Sequence, residues 1–351
     1  MVTIQELLAE ARQRGASDVH LSVGIPPKCR IHGILEEMNG ERLMPEDTEK
    51  LIQPMLTQHT AETLMDKGEV DFSYSTPELG RFRVNIFKQR GTYAAVLRLI
   101  NTEIPTPEQL GLPRAILGLT EKRRGLVLVT GPTGSGKSTS LASLMDIINE
   151  HHSQHCITLE DPIEYVHNHK RCIINQREVG LDTEGFGNAL RAALREDPDV
   201  ILVGEMRDLE TIQIALEAAE TGHLVFSTLH TIGAAPTIDR VIDVFPPHQQ
   251  QQVRIQLAGV LEAVISQQLM PTIGGRGRIA AFEVMLATPA IKNLIREAKS
   301  HQIPSMIQTS KKQGMILMDD SLYDLYLNRK ISIETALSYA QDPQMLEKKL
   351  Y

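Results

Sequence analysis

Apolar positions recur along this chain with two different periods, and the places where the period changes divide it into parts. At the start, Thr3-Ile-Gln-Glu6 has the spacing of a capping box. Apolar residues then follow a helical period through about Arg14, with Gly15 as a stop. Alternating and β-branched runs predict strands over Asp18–Val23, Lys28–Leu35, Val70–Ser75, Arg81–Gln89 and Thr92–Ile100, punctuated by Pro26-Pro27 and Gly91. Helical sequence lies between them, over about Pro45–Leu56 and Ala61–Lys67, so residues 1–100 read as a small α+β domain. The next stretch, from Asn101 to Pro113, holds three prolines and a glycine and predicts an interdomain linker over about 101–115.

Beyond it, short apolar runs alternate with helical patterns. Strands are expected over Gly125–Thr130, Cys156–Leu159, Val200–Val203 and Leu224–Ser227, and helices over Lys137–Asn149, Gly187–Glu196 and Leu209–Thr221. Such alternation requires crossover connections, so residues 116–288 predict an α/β core around a largely parallel sheet, with ligands beyond the carboxyl ends of its strands. From 289 to 351 the pattern is helical, over Ala290–Ser300, Ser305–Thr309, Asp319–Asn328 and Ser332–Ala340, giving a tail subdomain.

Composition narrows the function classes. The net charge of −8 and the scatter of lysines and arginines among acids argue against nucleic-acid binding. The N-terminus carries acids where a signal peptide is basic and then apolar, and no apolar run approaches the ~18 residues of a membrane span. A cytoplasmic protein is expected, reaching a membrane only through a partner. The three cysteines form no metal-binding pair and read as reduced, buried thiols.

Chemistry concentrates at the predicted strand ends. Gly131, Pro132, Thr133, Gly134, Ser135, Gly136, Lys137 and Ser138, followed by Thr139, form a phosphate-binding P-loop between a buried strand and a helix. Backbone N–H groups and the helix N-terminus face a polyphosphate, Lys137 reaches its β- and γ-phosphates, and Ser138 ligates Mg²⁺. The next strand ends in Thr158-Leu-Glu-Asp-Pro-Ile-Glu164, so Glu160, Asp161 and Glu164 are candidates for holding Mg²⁺ and orienting water; a solvated acidic turn is the alternative. Val200-Ile-Leu-Val-Gly-Glu205 resembles a Walker B strand in which Gly204 replaces the usual metal-binding Asp, leaving Glu205 to polarise the attacking water. Asp208 fits the cap of the following helix. His223 and His230 bracket the fourth strand, which should lie beside the P-loop strand; His230, at its carboxyl end, is placed to sense γ-phosphate or connect to Glu205, whereas His223 reads as structural or interfacial. In the first domain Arg81 and Arg83 share one face of a strand with Asn85, opposite Phe82, Val84 and Ile86. They are either a solvated face or a pair of phosphate contacts.

Together the P-loop, the acidic box, the Val-Gly-Glu-Met-Arg-Asp strand end and the Thr-Gly-His and Ser-Thr-Leu-His boxes resemble the secretion and type IV pilus ATPases, over nearly the whole chain. Ala290-Ile-Lys-Asn-Leu-Ile-Arg-Glu297 is similar to the C-terminal signature of the pilus retraction ATPases, with Lys292 where arginine is usual. The resemblance implies a RecA-like P-loop NTPase core, a PAS-like N-terminal domain and a homohexamer in which Arg81 and Arg83 of one subunit approach ATP on another. Arg278 is a further candidate phosphate contact. It also implies ATP hydrolysis that drives pilus retraction, pilin depolymerisation and twitching motility. The motor would be recruited to the inner membrane at the pilus base by a platform protein, with pilin as an indirect partner. The long N-terminal region and cysteine-rich zinc insertion of assembly and type II secretion relatives are missing, which favours retraction. An assembly or secretion ATPase, or a nucleotide-binding scaffold subunit, remains the alternative.

Overall fold

A computed structural model describes residues 2–31, 33–76, 78–100, 103–275 and 277–350. The chain divides into two compact units, Met1–Glu103 and Ile104–Tyr351.

In the first unit six strands form one antiparallel sheet. They are β1 (Asp18–Leu21), β2 (Lys28–Ile31), β3 (Ile34–Glu37), β4 (Glu69–Thr76), β5 (Gly80–Gln89) and β6 (Thr92–Leu99), in the order β3-β2-β1-β6-β5-β4. The helix Ile4–Gln13 starts at the anticipated box: the Glu6 carboxylate accepts from the Thr3 N–H at 2.7 Å, and the Thr3 hydroxyl accepts from the Glu6 N–H. Its Leu7 and Leu8 pack with Val19, Leu97 and the inward face of β5, where Phe82, Val84 and Ile86 are buried. Period-two alternation thus sends Arg81, Arg83 and Asn85 to the opposite face. One strand expected over Lys28–Leu35 is instead the hairpin β2–β3; Gly33 marks its turn, and His32 lies outside the described residues. A turn that short leaves the apolar pattern nearly unbroken, so the sequence reads through it.

The second unit holds a seven-stranded sheet. Its members are β7 (Gly125–Thr130), β8 (His155–Glu160), β9 (Ile173–Glu178), β10 (Val200–Val203), β11 (Leu224–Leu229), β12 (Leu261–Pro271) and β13 (Arg278–Leu286), in the order β13-β12-β7-β11-β10-β8-β9. All neighbours are parallel except β12 and β13. β7 and β11 pair directly, as the reading of His230 required. Three strands, β9, β12 and β13, were not anticipated. β12 follows the helix Pro247–Val260 without any turn residue, and its middle is the polar run Ser266-Gln267-Gln268, which masks a buried strand.

Helices cover both faces of this sheet, and the apolar core lies in two layers, one on each side. Within the stretch expected as linker, Pro107–Leu110 and Arg114–Leu117 are helical turns. Leu112 and Ile116 are buried against the layer that includes β7 and the helix Lys137–His151. Proline opens short helices as readily as it stiffens linkers, which explains the difference. Asn101 and Thr102 lie outside the described residues. The tail helices Met318–Leu327, Ile333–Tyr339 and Pro343–Leu350 pack on β12 and β13 around Met270, Ala281 and Leu322. No helix of the described residues is long and apolar enough to cross a membrane.

Candidate functional site

At the carboxyl ends of β7, β8, β10 and β11, within the second unit, a cleft of about 480 Å³ opens. Its walls include Thr133, Gly134, Gly136, Lys137, Ser138 and Thr139 from the P-loop side. Opposite are Glu160, Asp161 and Glu164 after β8, Glu205 after β10, His230 after β11, and Arg278 at the start of β13. Topology brings these ends together because every strand from β7 to β11 runs the same way.

The P-loop turns at Gly136, whose φ of 88° is a left-handed value that a side chain resists; a Cβ there would also lie 2.9 Å from the Gln267 amide nitrogen. The helix Lys137–His151 then begins with its free N–H groups toward the cleft. Lys137 is buried, and its Nζ donates to the carbonyls of Gly131 at 2.8 Å and Pro132 at 3.1 Å. An ammonium has three donors, so one remains for a phosphate oxygen. Burial pulls its pKa below the usual lysine range, and the nearby carboxylates Glu164 and Glu205 oppose that shift. The buried Ser135 hydroxyl has no hydrogen-bond partner and does not line the cleft.

Glu205 is held from both sides. Arg207 Nε lies 2.8 Å from one carboxylate oxygen and His230 Nε2 3.3 Å from the other, so the expected connection between His230 and Glu205 is present. The two contacts turn the carboxylate toward the cleft, as a water-orienting group needs. Gly204, where a Walker B strand usually carries Asp, has a steric cause: a Cβ there would meet the Leu159 carbonyl oxygen at 3.0 Å and the Glu160 Cα at 3.4 Å. A side chain on Gly204 would require β8 to give way by a few tenths of an ångström, and the carboxylates come from the end of β8 and the turn after it. Of these, Glu160 accepts from the Thr158 hydroxyl at 2.6 Å and from the Gln176 amide at 3.0 Å. Burial raises its pKa above the usual carboxylate range, against those two hydrogen bonds. Hydroxyl and carboxylate oxygens are the hard donors Mg²⁺ takes, so Ser138, Glu160, Asp161 and Glu164 suit that ion in kind, while among the described residues no three acidic, histidine or cysteine side chains converge on one metal position.

Arg81 and Arg83 stand on β5 in the first unit, and Arg83 is engaged there: its Nε and Nη2 reach Asp71 at 3.1 and 2.6 Å. His223 bonds the Ala218 carbonyl beside its own helix end, and Asp208 caps the helix Leu209–Glu220, both as expected. Cys29, Cys156 and Cys172 are buried free thiols. Sequence reasoning missed several residues of the cleft. Arg207 lies two residues past Glu205 and could have been found from that spacing. Tyr165, whose hydroxyl is 3.0 Å from Thr139, follows the acidic box directly. His167, whose pKa burial lowers to about 4, Phe186 and Leu269 carried no local signal. Nor did Gln267, which receives the Ser140 hydroxyl at 2.9 Å behind the P-loop.

Compared with known proteins, residues 1–325 match the family described as type II/IV secretion system protein. A relative from Pseudomonas aeruginosa, the type IV pilus retraction ATPase PilT, is 51% identical over 97% of this chain and 99% of its own length. A twitching motility protein of Neisseria gonorrhoeae is 48% identical over 91% of this chain and 86% of its own. Among solved structures, that of the pilus retraction motor PilT with bound ADP superimposes with a TM-score of 0.94 at 52% identity, covering 99% of this chain and 100% of that one.

Proposed function

This chain belongs to the type II/IV secretion system protein family, and from that premise we propose a hexameric motor that hydrolyses ATP to retract type IV pili. Retraction is supported by the relatives of nearly equal length, whose names are those of a retraction ATPase and a twitching motility protein. The observation that carries the chemistry is the Glu205 carboxylate fixed between Arg207 and His230, across one cleft from the Lys137 ammonium.

The nucleotide's phosphates lie along the P-loop, where Lys137 and the N-terminus of its helix offset their charge. Ser138 with Glu160, Asp161 and Glu164 would hold Mg²⁺, which would supply further charge neutralisation on the phosphate oxygens. Glu205 orients the water for in-line attack and accepts its proton; His230, hydrogen-bonded to that carboxylate, keeps it aimed and reports the state of the site. Arg278, on the rim of the same cleft, adds positive charge toward the phosphates. Arg81 and Arg83 belong to another compact unit and act on the nucleotide of a neighbouring subunit, which gives the ring its chemical reason. ATP drives the motor by binding one interdomain arrangement more tightly than the other. The motor works on the cytoplasmic side, where a membrane platform protein receives the motion and passes it to pilin.

Deleting the gene and imaging the pili tests this reading. Abundant pili that do not retract, unrescued by Glu205→Gln, are expected. Absence of pili would establish an assembly motor instead, and rescue by Glu205→Gln would establish a scaffold.

A further inference from the structure

Three consecutive polar residues in the middle of β12, Ser266, Gln267 and Gln268, are buried, and so is Glu283 directly across from Ser266 on β13. Buried polar groups cost stability unless each finds a partner, and apolar residues fill the rest of the strand's inner positions, such as Val264, Ile265 and Met270. Every one of the four has partners, and these fall into two sets. Toward the nucleotide cleft, Gln267 accepts from the Ser140 hydroxyl, Ser266 accepts from the Gly233 N–H at 2.9 Å, and Glu283 accepts from the Ala234 N–H at 2.7 Å. Gly233 and Ala234 are the third and fourth residues after His230. Toward the tail, Gln268 donates to the Tyr339 carbonyl at 3.0 Å, while Glu283 accepts from the Met318 N–H at 3.3 Å and from the Gln341 amide at 3.2 Å. Asp319 completes the tail's attachment by accepting from the backbone N–H groups of Gln341 and Asp342.

Glu283 thus stands at the N-termini of two ten-residue helices, Ala234–Asp243 and Met318–Leu327, one continuing the His230 loop and one opening the tail. Their aligned peptide dipoles favour a carboxylate there, which offsets part of the cost of burying it. Burial pushes its pKa up, and the three hydrogen bonds oppose that shift.

We propose that this buried polar bridge makes the C-terminal helical segment a positioning element of the ATP site, with Glu283 as the positioning residue that holds the His230 loop and Gln341 and Gln268 as its attachments to the tail. The inference rests on hydrolysis at the cleft. Displacing the segment around Tyr339–Asp342 would loosen the loop and so the aim of Glu205, while the P-loop would keep its grip on the nucleotide. A partner that binds the tail would gain control of turnover by this route.

The test uses the full chain with Gln268→Ala, Gln341→Ala and their double, and with Glu283→Gln. For each, kcat and KM for ATP, the Kd of a fluorescent ATP analogue and the unfolding temperature are measured. The double variant and Glu283→Gln should each lose about tenfold in kcat, the scale of one lost hydrogen bond to a charged group, with Kd within about twofold. In a His230→Ala background the loss caused by the double variant should shrink to about twofold or less, because residues that act through one another are not additive. A purely structural role would lower turnover by the same factor in both backgrounds, or lower binding and turnover together, and either result overturns the proposal. So does a double variant with kcat within about twofold of the parent. An unmodified chain without ATPase activity would instead remove the hydrolysis reading, which the parental measurement shows separately.

Discussion

Lys137 and Arg83 are both cations assigned to phosphate, and their surroundings differ in every respect. Lys137 sits buried in the second unit, bonded to two loop carbonyls, its charge opposed by burial and supported by Glu164 and Glu205. Arg83 lies on an open strand face of the first unit, about two-fifths exposed and paired with Asp71. An exposed ion pair is worth about 0–1 kcal/mol, so the pairing with Asp71 by itself holds Arg83 only weakly. Lys137 has less freedom, because two of its three donors are held by the loop carbonyls and only the third is left over. The contrast teaches that the second unit holds its cation in a preorganised cleft, whereas the first unit carries its cation on an open strand face.

The largest effects should come from the preorganised site. Glu205→Gln removes the water-orienting carboxylate, and ATP turnover should fall by about 10³-fold while nucleotide binding persists, measured by steady-state hydrolysis beside equilibrium binding. Lys137→Ala should cost about 10²- to 10³-fold and weaken nucleotide binding as well. Should Glu205→Gln keep parental turnover, the clamp by Arg207 and His230 is not catalytic. Arg83→Ala should lower turnover by about tenfold or more in the assembled ring, within the range of an arginine supplied in trans, and leave nucleotide Kd unchanged. Mixing Arg83→Ala subunits with Lys137→Ala subunits sharpens the comparison. Each protein alone is impaired, but an intact P-loop beside an intact Arg83 on its neighbour should restore part of the activity. No recovery on mixing would place Arg83 outside the site.

The two kinds of site were not equally legible. The P-loop, the acids after β8, Glu205 and His230 were readable because each is a short polar signature at the end of an apolar run, and parallel topology brings such ends together. Gly204 was noticed as a departure, yet its cause, the approach of β10 to Leu159 and Glu160, is a distance between strands that no local pattern contains. β12 escaped for a related reason. Ser266-Gln267-Gln268 reads as a loop, because the partners that make a buried polar run tolerable, Ser140, Gly233 and Tyr339, are distant in sequence. The alternation of β5 predicted which face Arg83 takes, but its pairing with Asp71 on β4 needed the register of two strands.

The smallest expected effect separates the two units by their carboxylates. Glu160, at the cleft, has a pKa raised chiefly by burial, so the folded state binds its proton more tightly than the unfolded state does. The stability it contributes is therefore fully present below the ordinary glutamate value of about 4.3 and is lost as pH rises through that value to the raised one. Ionising Glu160 in the folded state therefore costs stability. Glu160→Gln can still accept from Thr158 and Gln176 through its amide oxygen, so it should unfold at an equal or slightly higher temperature at pH 7. That advantage should vanish in acid, where Glu160 is already neutral, and Mg²⁺-dependent turnover should fall at every pH. Asp71 is open to water and paired with Arg83, so Asp71→Asn should lose about 0–1 kcal/mol at neutral pH. Thermal melts of both variants at pH 7 and in acid decide the matter. If Glu160→Gln is destabilised at pH 7 by as much as Asp71→Asn, the carboxylate at the cleft is a structural anchor, and the contrast between a site held under tension and a surface pair at rest fails.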